Sequence, residues 1–228
     1  MKKQLLAIAL LASAPLVSAK AQVFDLFPTD GGGAWQVSCT VLPGGAPAPL
    51  CNGDYFNAQR VTATPAGWAS VPVAGPAGNA YYIAPTASAS LWSNTPNEAM
   101  NYEYTFRTTF DVGAGASLSA LNLNVFRLDN YFVGWSLNGS AFDATGLSPS
   151  GAHTAGGAYW ATPFELNIPG TGFVAGSNTL ELRVRGNGRT DAILVQGNYS
   201  TVPEPGTLLL IGTGVLLLGA EVRRRRIV

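Results

Sequence analysis

YEYTFRTTFDV, residues 102–112, is the stretch that decides the fold of this chain. Aromatic and aliphatic side chains recur at every second position through most of it, and charged residues and threonines occupy the positions between them. This alternation has the period of two that separates the two faces of a β-strand. The stretch therefore predicts an antiparallel strand with one face buried and the other in water.

The same alternation recurs later in the chain, at residues 131–137, 164–168 and 180–184. Two more strands are predicted at 121–128 and 192–196, with weaker candidates at 55–61 and 80–84. Asn138-Gly139 follows one of these segments and is a strong signal for a two-residue hairpin turn. About eight short strands separated by turns rich in Gly, Pro and Asn are typical of an antiparallel β-sandwich, so the predicted fold class is all-β.

Several of these segments resemble galactose-binding-like jelly-roll domains. The resemblance is carried by residues 102–111, by Leu137-Asn138-Gly139 and by residues 172–180, which read GFVAGSNTL; Leu91-Trp92 stands where that family commonly places a tryptophan. It covers roughly residues 54–200 and implies a jelly roll. These motifs specify turns and strand packing and carry no chemistry, so galactose does not follow as a ligand.

Two cysteines, Cys39 and Cys51, bracket a segment rich in proline and glycine. In an oxidising compartment the simplest interpretation is a disulfide that closes this loop. A catalytic thiol is the alternative. It would need a base, and the single histidine, His153, lies in a Gly/Ala-rich segment with no marked acidic partner.

The C-terminal segment carries three signals in a fixed order: a Pro-Glu-Pro tripeptide, an apolar stretch at 207–220 and four arginines at 223–226. As a helix, residues 207–222 would extend about 24 Å at roughly 1.5 Å per residue, somewhat less than the ~30 Å of a hydrocarbon core. Arginines after the span favour a cytoplasmic C-terminal end. The segment predicts one short transmembrane helix, and a buried hydrophobic helix of a soluble protein is the alternative.

This order resembles the PEP-CTERM sorting domain of exported proteins in Gram-negative bacteria, over residues 203–228 only. The resemblance implies recognition of Pro203, Glu204 and Pro205 by exosortase, a membrane cysteine peptidase, and cleavage near them. It also implies transient anchoring in the inner membrane by the C-terminal helix, followed by a place at the cell surface or in the extracellular matrix. Tails of this kind accompany extracellular polysaccharide, so biofilm or envelope structure is the implied context.

The N-terminal residues have the pattern of a secretory signal peptide. A basic start at 1–3 precedes an apolar region at 5–17, and Ala19-Lys20-Ala21 fits a cleavage site. Cleavage after Ala21 leaves Gln22 as the mature N-terminus, and cleavage after Ala19 is the alternative. The predicted organisation is a signal peptide at 1–21, an exported β-sandwich at 22–202 and a sorting and anchor segment at 203–228.

The exported part is mildly acidic, although the whole chain has no net charge. Residues 22–202 contain eleven acidic residues and six arginines, a net charge of −5. This balance argues against nucleic acid as a partner. The carboxylates are scattered: Glu165 and Glu181 fall on outward strand faces, and Asp129 and Asp143 are the candidates for a structural calcium site. The pattern predicts no catalytic residues, no cofactor and no metal.

Aromatic residues are the remaining candidates for chemistry. Tyr159 and Trp160 adjoin the Gly-rich segment 151–158 and are the most site-like pair, because sugar-binding sandwiches stack pyranose rings on such side chains. Packing in the core or at an edge is the alternative for both. Asp129, the pair Asn130-Tyr131 and Arg189 are candidates to lie near the same end of the sandwich.

Three functional hypotheses follow. The first is a non-enzymatic structural or adhesive protein of the surface or matrix, the second a carbohydrate-binding module that contacts polysaccharide through exposed aromatics. The third is a hydrolase, which the scattered carboxylates disfavour. The first is the function that the sequence favours.

Overall fold

The computed structural model describes residues 22–26, 29, 34–75, 78–91, 100–113, 116–129, 131–148 and 160–203. Within these ranges the chain consists of strands, turns and bends. No helix among them is long and apolar enough to cross a membrane. The predicted signal peptide and the predicted transmembrane helix lie outside the described residues.

Fourteen strands make up this part of the chain. They are β1 (Gln22–Leu26), β2 (Trp35–Val41), β3 (Phe56–Asn57), β4 (Gln59–Arg60), β5 (Val73–Gly75), β6 (Gly78–Ala80), β7 (Ile83–Ala84), β8 (Tyr102–Val112), β9 (Ala116–Leu128), β10 (Tyr131–Leu137), β11 (Leu147–Ser148), β12 (Phe164–Pro169), β13 (Gly176–Gly186) and β14 (Ile193–Pro203).

The strands form two main antiparallel sheets and one short ribbon. The seven-stranded sheet has the order β11-β12-β9-β14-β7-β4, and β1 pairs with β14 beside this path. The five-stranded sheet has the order β10-β13-β8-β2-β3, and β5 pairs only with β6. All of these pairings are antiparallel. The prediction of an all-β antiparallel sandwich is confirmed.

The main core lies between the two sheets. Phe126 of β9 meets Phe132 of β10 edge-on, with ring centroids 5.4 Å apart, and Phe110 of β8 meets Tyr199 of β14 at 5.0 Å. Both contacts join one sheet to the other. Because a fully buried aromatic or aliphatic side chain contributes about 1.5–3 kcal/mol, the inward faces of these long strands hold the sandwich together.

A second apolar cluster lies on the outer face of the seven-stranded sheet. Ile193 and Val195 of β14 point into the main core, whereas Leu194 packs in this second cluster with Tyr82. Strand alternation sends neighbouring side chains to opposite faces, so both faces of β14 are buried. The chain between 61 and 84 supplies most of the cover.

The predicted alternation fails at the start of β10. The sequence pattern placed Tyr131, Val133 and Trp135 on one face, but a register shift between Phe132 and Gly134 turns Phe132 into the core. Gly134 lies within this irregular stretch and allows the chain at Asp143 to approach closely, because a Cβ at that position would lie 2.9 Å from the backbone oxygen of Asp143. A β-bulge of this kind changes which side chains face inward.

The predicted turn after β10 is present. Asn138 and Gly139 have φ values of 52° and 76°, as a primed two-residue turn requires. The returning chain pairs with β10 through a bridge in which Trp135 and Asp143 exchange two backbone hydrogen bonds of 2.8 Å.

Candidate functional site

The predicted disulfide is formed. Cys39 lies buried in β2 and is bonded to Cys51, and the described part of the chain contains no free cysteine. The bond closes the loop between β2 and β3. The cysteines are therefore structural, and the alternative of a catalytic thiol is excluded for both of them.

The outer face of the five-stranded sheet carries paired charges. Glu103 of β8 binds Arg185 at 3.1 Å and Arg183 at 3.4 Å. On the same face Glu181 accepts a 2.7 Å hydrogen bond from the hydroxyl of Tyr55, whose ring lies 3.6 Å from the guanidinium carbon of Arg107. These charged groups stabilise one another across neighbouring strands.

The carboxylates of Glu165 and Glu181 cannot act as a pair across one substrate. Glu165 is exposed on β12 in the seven-stranded sheet, and Glu181 lies on β13 in the five-stranded sheet. Residues with outward side chains on the two sheets of a sandwich lie on opposite sides of the domain. The prediction that the side chains of Glu165 and Glu181 point outward is confirmed.

Trp160 lies at the edge of the second apolar cluster. It is half-buried, and its carbonyl oxygen accepts hydrogen bonds from the backbone of Ala69, at 3.1 Å, and from the hydroxyl of Tyr82. Its indole nitrogen lies close to Gly67, where an added Cβ would be 3.5 Å away. Trp160 is thus outside the main core between the sheets. Tyr159 lies outside the described residues.

Trp68 and Tyr82 complete an aromatic group beside Trp160. Their rings are 4.4 Å apart and tilted, and Trp68 donates a 3.1 Å hydrogen bond from its indole nitrogen to Asp129. Burial raises the pKa of Tyr82 to about 12. The outer face of the seven-stranded sheet therefore holds three aromatic side chains with a carboxylate at their border.

Sequence reasoning did not find this group. Trp68 lies in a Pro- and Gly-rich segment without strand periodicity, so nothing local indicated where its side chain would pack. The chain from β4 to β7 folds back over the outer face of the sheet, and that long-range course brings Trp68 to Asp129. A tryptophan in such a segment was the one available signal.

Asp191 is a buried carboxylate that organises a loop. Its oxygens accept hydrogen bonds from the hydroxyl of Tyr104, at 2.6 Å, and from the backbone nitrogens of Asn187 and Gly188, at 3.1 and 2.6 Å. Burial raises the pKa of the Asp191 carboxyl to about 7, and the charge of Asp129 adds to the rise, although these hydrogen bonds favour the charged form. The carboxylate thus joins a strand of the five-stranded sheet to the loop before β14.

The other residues predicted near one end of the sandwich do not converge on a single site. Tyr131 accepts a 3.1 Å hydrogen bond from Arg185, on the outer face of the five-stranded sheet. Arg189 is exposed, and its backbone nitrogen binds the side chain of Asn187. Asn130 and His153 lie outside the described residues.

The two candidate calcium ligands have separate protein partners. Asp143 accepts a 2.8 Å hydrogen bond from the backbone nitrogen of Thr145, whereas Asp129 binds Trp68. In the part of the chain that the structure describes, no group of three or more His, Cys, Asp or Glu side chains is placed to hold a metal ion.

The C-terminal strand leads directly into the predicted sorting segment. β14 runs to Pro203, which lies opposite Ala116 of β9. β1 pairs with the same strand on its other side, with Gln22 opposite Thr201. The first residue of the predicted Pro-Glu-Pro tripeptide is therefore the last residue of a central strand.

The comparison with protein families decides what this segment is. Residues 201–226 match the family model described as the PEP-CTERM protein-sorting motif. The chain carries a PEP-CTERM sorting motif. This motif indicates an exported protein that exosortase sorts in a Gram-negative bacterium, in association with the membrane.

The PEP-CTERM match extends over 26 residues and overlaps the last three residues of β14. It includes Pro203, Glu204 and Pro205 and the four arginines. No curated protein and no solved structure matches the chain. The assignment of an antiparallel sandwich to the domain ahead of the motif therefore comes from its strands and core alone.

Proposed function

We propose that this chain is a non-catalytic structural or adhesive component of the cell surface or extracellular matrix, associated with exopolysaccharide in biofilm or envelope. The PEP-CTERM motif directly after β14 is the observation that carries the proposal. The signal peptide at 1–21 starts export, and exosortase acts at the tripeptide. The span at 207–222 and its arginines anchor the precursor in the inner membrane until then.

The polar groups of the domain support a structural role. The buried carboxylate of Asp191 binds a tyrosine and two backbone nitrogens, and the carboxylate of Glu103 pairs with Arg183 and Arg185. Catalytic acids and bases instead have their pKa shifted within a cleft that admits substrate. A rigid disulfide-bonded sandwich with paired surface charges suits a protein that persists outside the cell.

Expression of the full chain in two matched hosts tests the proposal. One host is a Gram-negative strain with an active exosortase, and the other is the same strain with the exosortase gene deleted. We expect a shortened form at the surface or in the matrix of the first host, and a membrane-bound precursor in the second. Identical fractionation and identical mass in the two hosts would contradict sorting by exosortase.

A carbohydrate-binding module that contacts polysaccharide is the second candidate, and the aromatic group on the outer face favours it. Trp160 and Trp68 are both half-buried there, next to Tyr82 and the carboxylate of Asp129. Aromatic rings that are partly exposed can stack on a sugar ring. Asp129 is buried beside them and fixes the indole of Trp68 through its hydrogen bond.

Binding of glycans to the folded domain distinguishes the two candidates. A carbohydrate-binding module should show a rise in melting temperature with its sugar, because a ligand that binds only the folded state stabilises it. The rise should disappear in Trp160→Ala. A structural component should give no sugar-dependent shift on a broad glycan panel that includes the host's own exopolysaccharide.

A further inference from the structure

The end of β14 is held in a sheet up to the first residue of the sorting tripeptide. Thr201, Val202 and Pro203 lie opposite Leu118, Ser117 and Ala116 of β9. Thr201 is buried. The segment that the peptidase has to read thus begins inside the folded domain and not in a linker.

The N-terminal strand holds the same end of β14 from the other side. Gln22 lies opposite Thr201, and the pairing continues to Leu26 opposite Gly197. Beyond β1 the chain is fixed by Thr29, which is fully buried and exchanges hydrogen bonds with the backbone of Val195 at 3.0 and 3.2 Å. The N-terminal segment is therefore an integral part of the sheet.

The predicted signal peptide and the sorting segment connect to the domain at the same end of the sheet. Because β1 and β14 are antiparallel, the start of β1 and the end of β14 lie side by side. The predicted signal peptide ends immediately before Gln22, and the apolar span begins four residues after Pro203. Four extended residues reach at most about 14 Å. In the anchored precursor, this end of the sandwich therefore lies close to the bilayer.

This short distance limits how a peptidase can bind the motif. Enzymes and recognition domains usually bind a peptide in extended form, with its backbone groups exposed to the binding cleft. The backbone of residues 201–203 faces β9 instead, so a cleft that reads Pro203 in extended form competes with β9 for it. Pro203 has no N–H to donate, which makes the last position of the strand the easiest to release.

We propose that the end of β14 must separate from β9 and β1 before exosortase can read the tripeptide, so that this strand end controls the rate of processing. The inference rests on the proposed function, because it assumes that exosortase acts on this chain. Opening of a few residues at a strand end requires far less free energy than unfolding of the domain. The sandwich itself can therefore stay folded while its tail is cleaved.

A disulfide staple across the strand end tests the proposal. Ser117 and Val202 lie opposite each other, and directly opposite residues in antiparallel strands have Cα atoms within the range that a disulfide spans. Ser117→Cys with Val202→Cys should slow the appearance of the shortened form by at least about tenfold in a pulse–chase experiment, because the staple prevents the local opening. Peptide mass spectrometry confirms the new bond beside Cys39–Cys51.

A matched staple farther from the motif is the control. Asn122 and Asn198 are also opposite each other on β9 and β14. Asn122→Cys with Asn198→Cys introduces the same chemistry between the same strands, and we expect processing within about twofold of the wild-type rate, because opening of the strand end does not involve this pair. The single variants Ser117→Cys and Val202→Cys should also behave like wild type.

Release of the motif from the strand should restore processing of the stapled chain. An insertion of about six Gly and Ser residues between Val202 and Pro203 adds up to about 20 Å of flexible chain, so the tripeptide becomes accessible while the staple stays closed. Processing of the Ser117/Val202 staple at the wild-type rate, with its bond intact, would overturn the proposal. So would a stapled chain that the insertion fails to rescue.

Failure of the underlying function gives a different pattern. If exosortase does not act on this chain, then the wild type, the control staple and the insertion variant all remain uncleaved in the exosortase-bearing host. If only the strand-end inference is wrong, the wild type is cleaved and the Ser117/Val202 staple is cleaved equally fast.

Discussion

The hydroxyl of Tyr104 donates a 2.6 Å hydrogen bond to Oδ2 of Asp191 and so links the middle of the five-stranded sheet to the loop that precedes β14. The carboxylate is completely buried, and it also fixes the backbone of Asn187 and Gly188. Gly186 leaves the space for it, because a Cβ there would collide with both carboxylate oxygens. One acidic side chain thus sets the path of the chain into its C-terminal strand.

This carboxylate should make the stability of the domain depend on pH. Its pKa rises from an ordinary 3.8 to about 7 on folding. The folded state therefore binds the proton more tightly, and the contribution to the free energy of unfolding is largest below about pH 4 and is lost as the pH rises towards 7. We expect a loss on the order of a few kcal/mol.

Urea unfolding between pH 4 and pH 8 measures this contribution. Other groups also titrate in this range, so the wild-type curve is compared with that of Asp191→Asn, which cannot titrate. The free energy of unfolding of the wild type minus that of Asp191→Asn should fall as the pH rises. Parallel curves would show that Asp191 has the same pKa in the folded and unfolded states.

Loss of the disulfide should destabilise the domain without changing its fold. Cys39→Ala with Cys51→Ala removes the bond between β2 and the loop that follows it. A closed loop of this length contributes about 3 kcal/mol by restricting the unfolded chain. Chemical denaturation measures the loss, and a reductant should lower the stability of the wild type but not that of the variant. A wild-type protein that is indifferent to the reductant would contradict the prediction.

Two tryptophan variants should separate surface packing from core packing. Trp35 is almost fully buried between the sheets, and its replacement by alanine should cost about 3–5 kcal/mol. Trp160 is half-buried outside that core, and its hydrogen bonds with Ala69 and Tyr82 are accepted by a backbone oxygen that Trp160→Ala retains. We expect Trp160→Ala to cost less than half as much by denaturation. Equal losses would place Trp160 among the structural residues and remove it as a candidate for ligand contact.

The strands could be predicted from sequence wherever the alternation was long. YEYTFRTTFDV was correctly assigned as β8, and the segments at 121–128, 164–168 and 180–184 were found as parts of β9, β12 and β13. β2 was missed although Trp35, Val37 and Cys39 alternate with polar residues. The alternation there is short and runs into the Pro- and Gly-rich loop after Cys39, so the loop signal is the stronger of the two. The weaker candidate at 55–61 proved to be two short strands.

The pairing of β1 with β14 could not be predicted from local pattern. It joins residues that are 171 to 179 positions apart, and no periodicity within either segment indicates which strand lies beside it. The same holds for the hydrogen bond between Trp68 and Asp129, which depends on the course of an irregular segment. Asp191 gave no signal either, since an aspartate at the end of a short polar turn is usually exposed to water.

The acidic residue of the sorting tripeptide should be required for processing but not for insertion. Glu204→Ala leaves the apolar span and its arginines unchanged, so the precursor should still reach the membrane, while cleavage slows. Replacement of residues 223–226 by neutral ones should instead weaken retention and orientation, because positive charges hold that end in the cytoplasm. Pulse–chase with membrane fractionation measures both effects. Cleavage of Glu204→Ala at the wild-type rate would refute recognition of the tripeptide.

The intact mass of the protein recovered from the surface or matrix of an exosortase-bearing strain tests the central claim most directly. Export and sorting together predict a chain that begins at Gln22, contains the Cys39–Cys51 disulfide and ends near residues 203–205, without the apolar span and the four arginines. A surface protein whose mass still includes residues 207–226 would contradict the account.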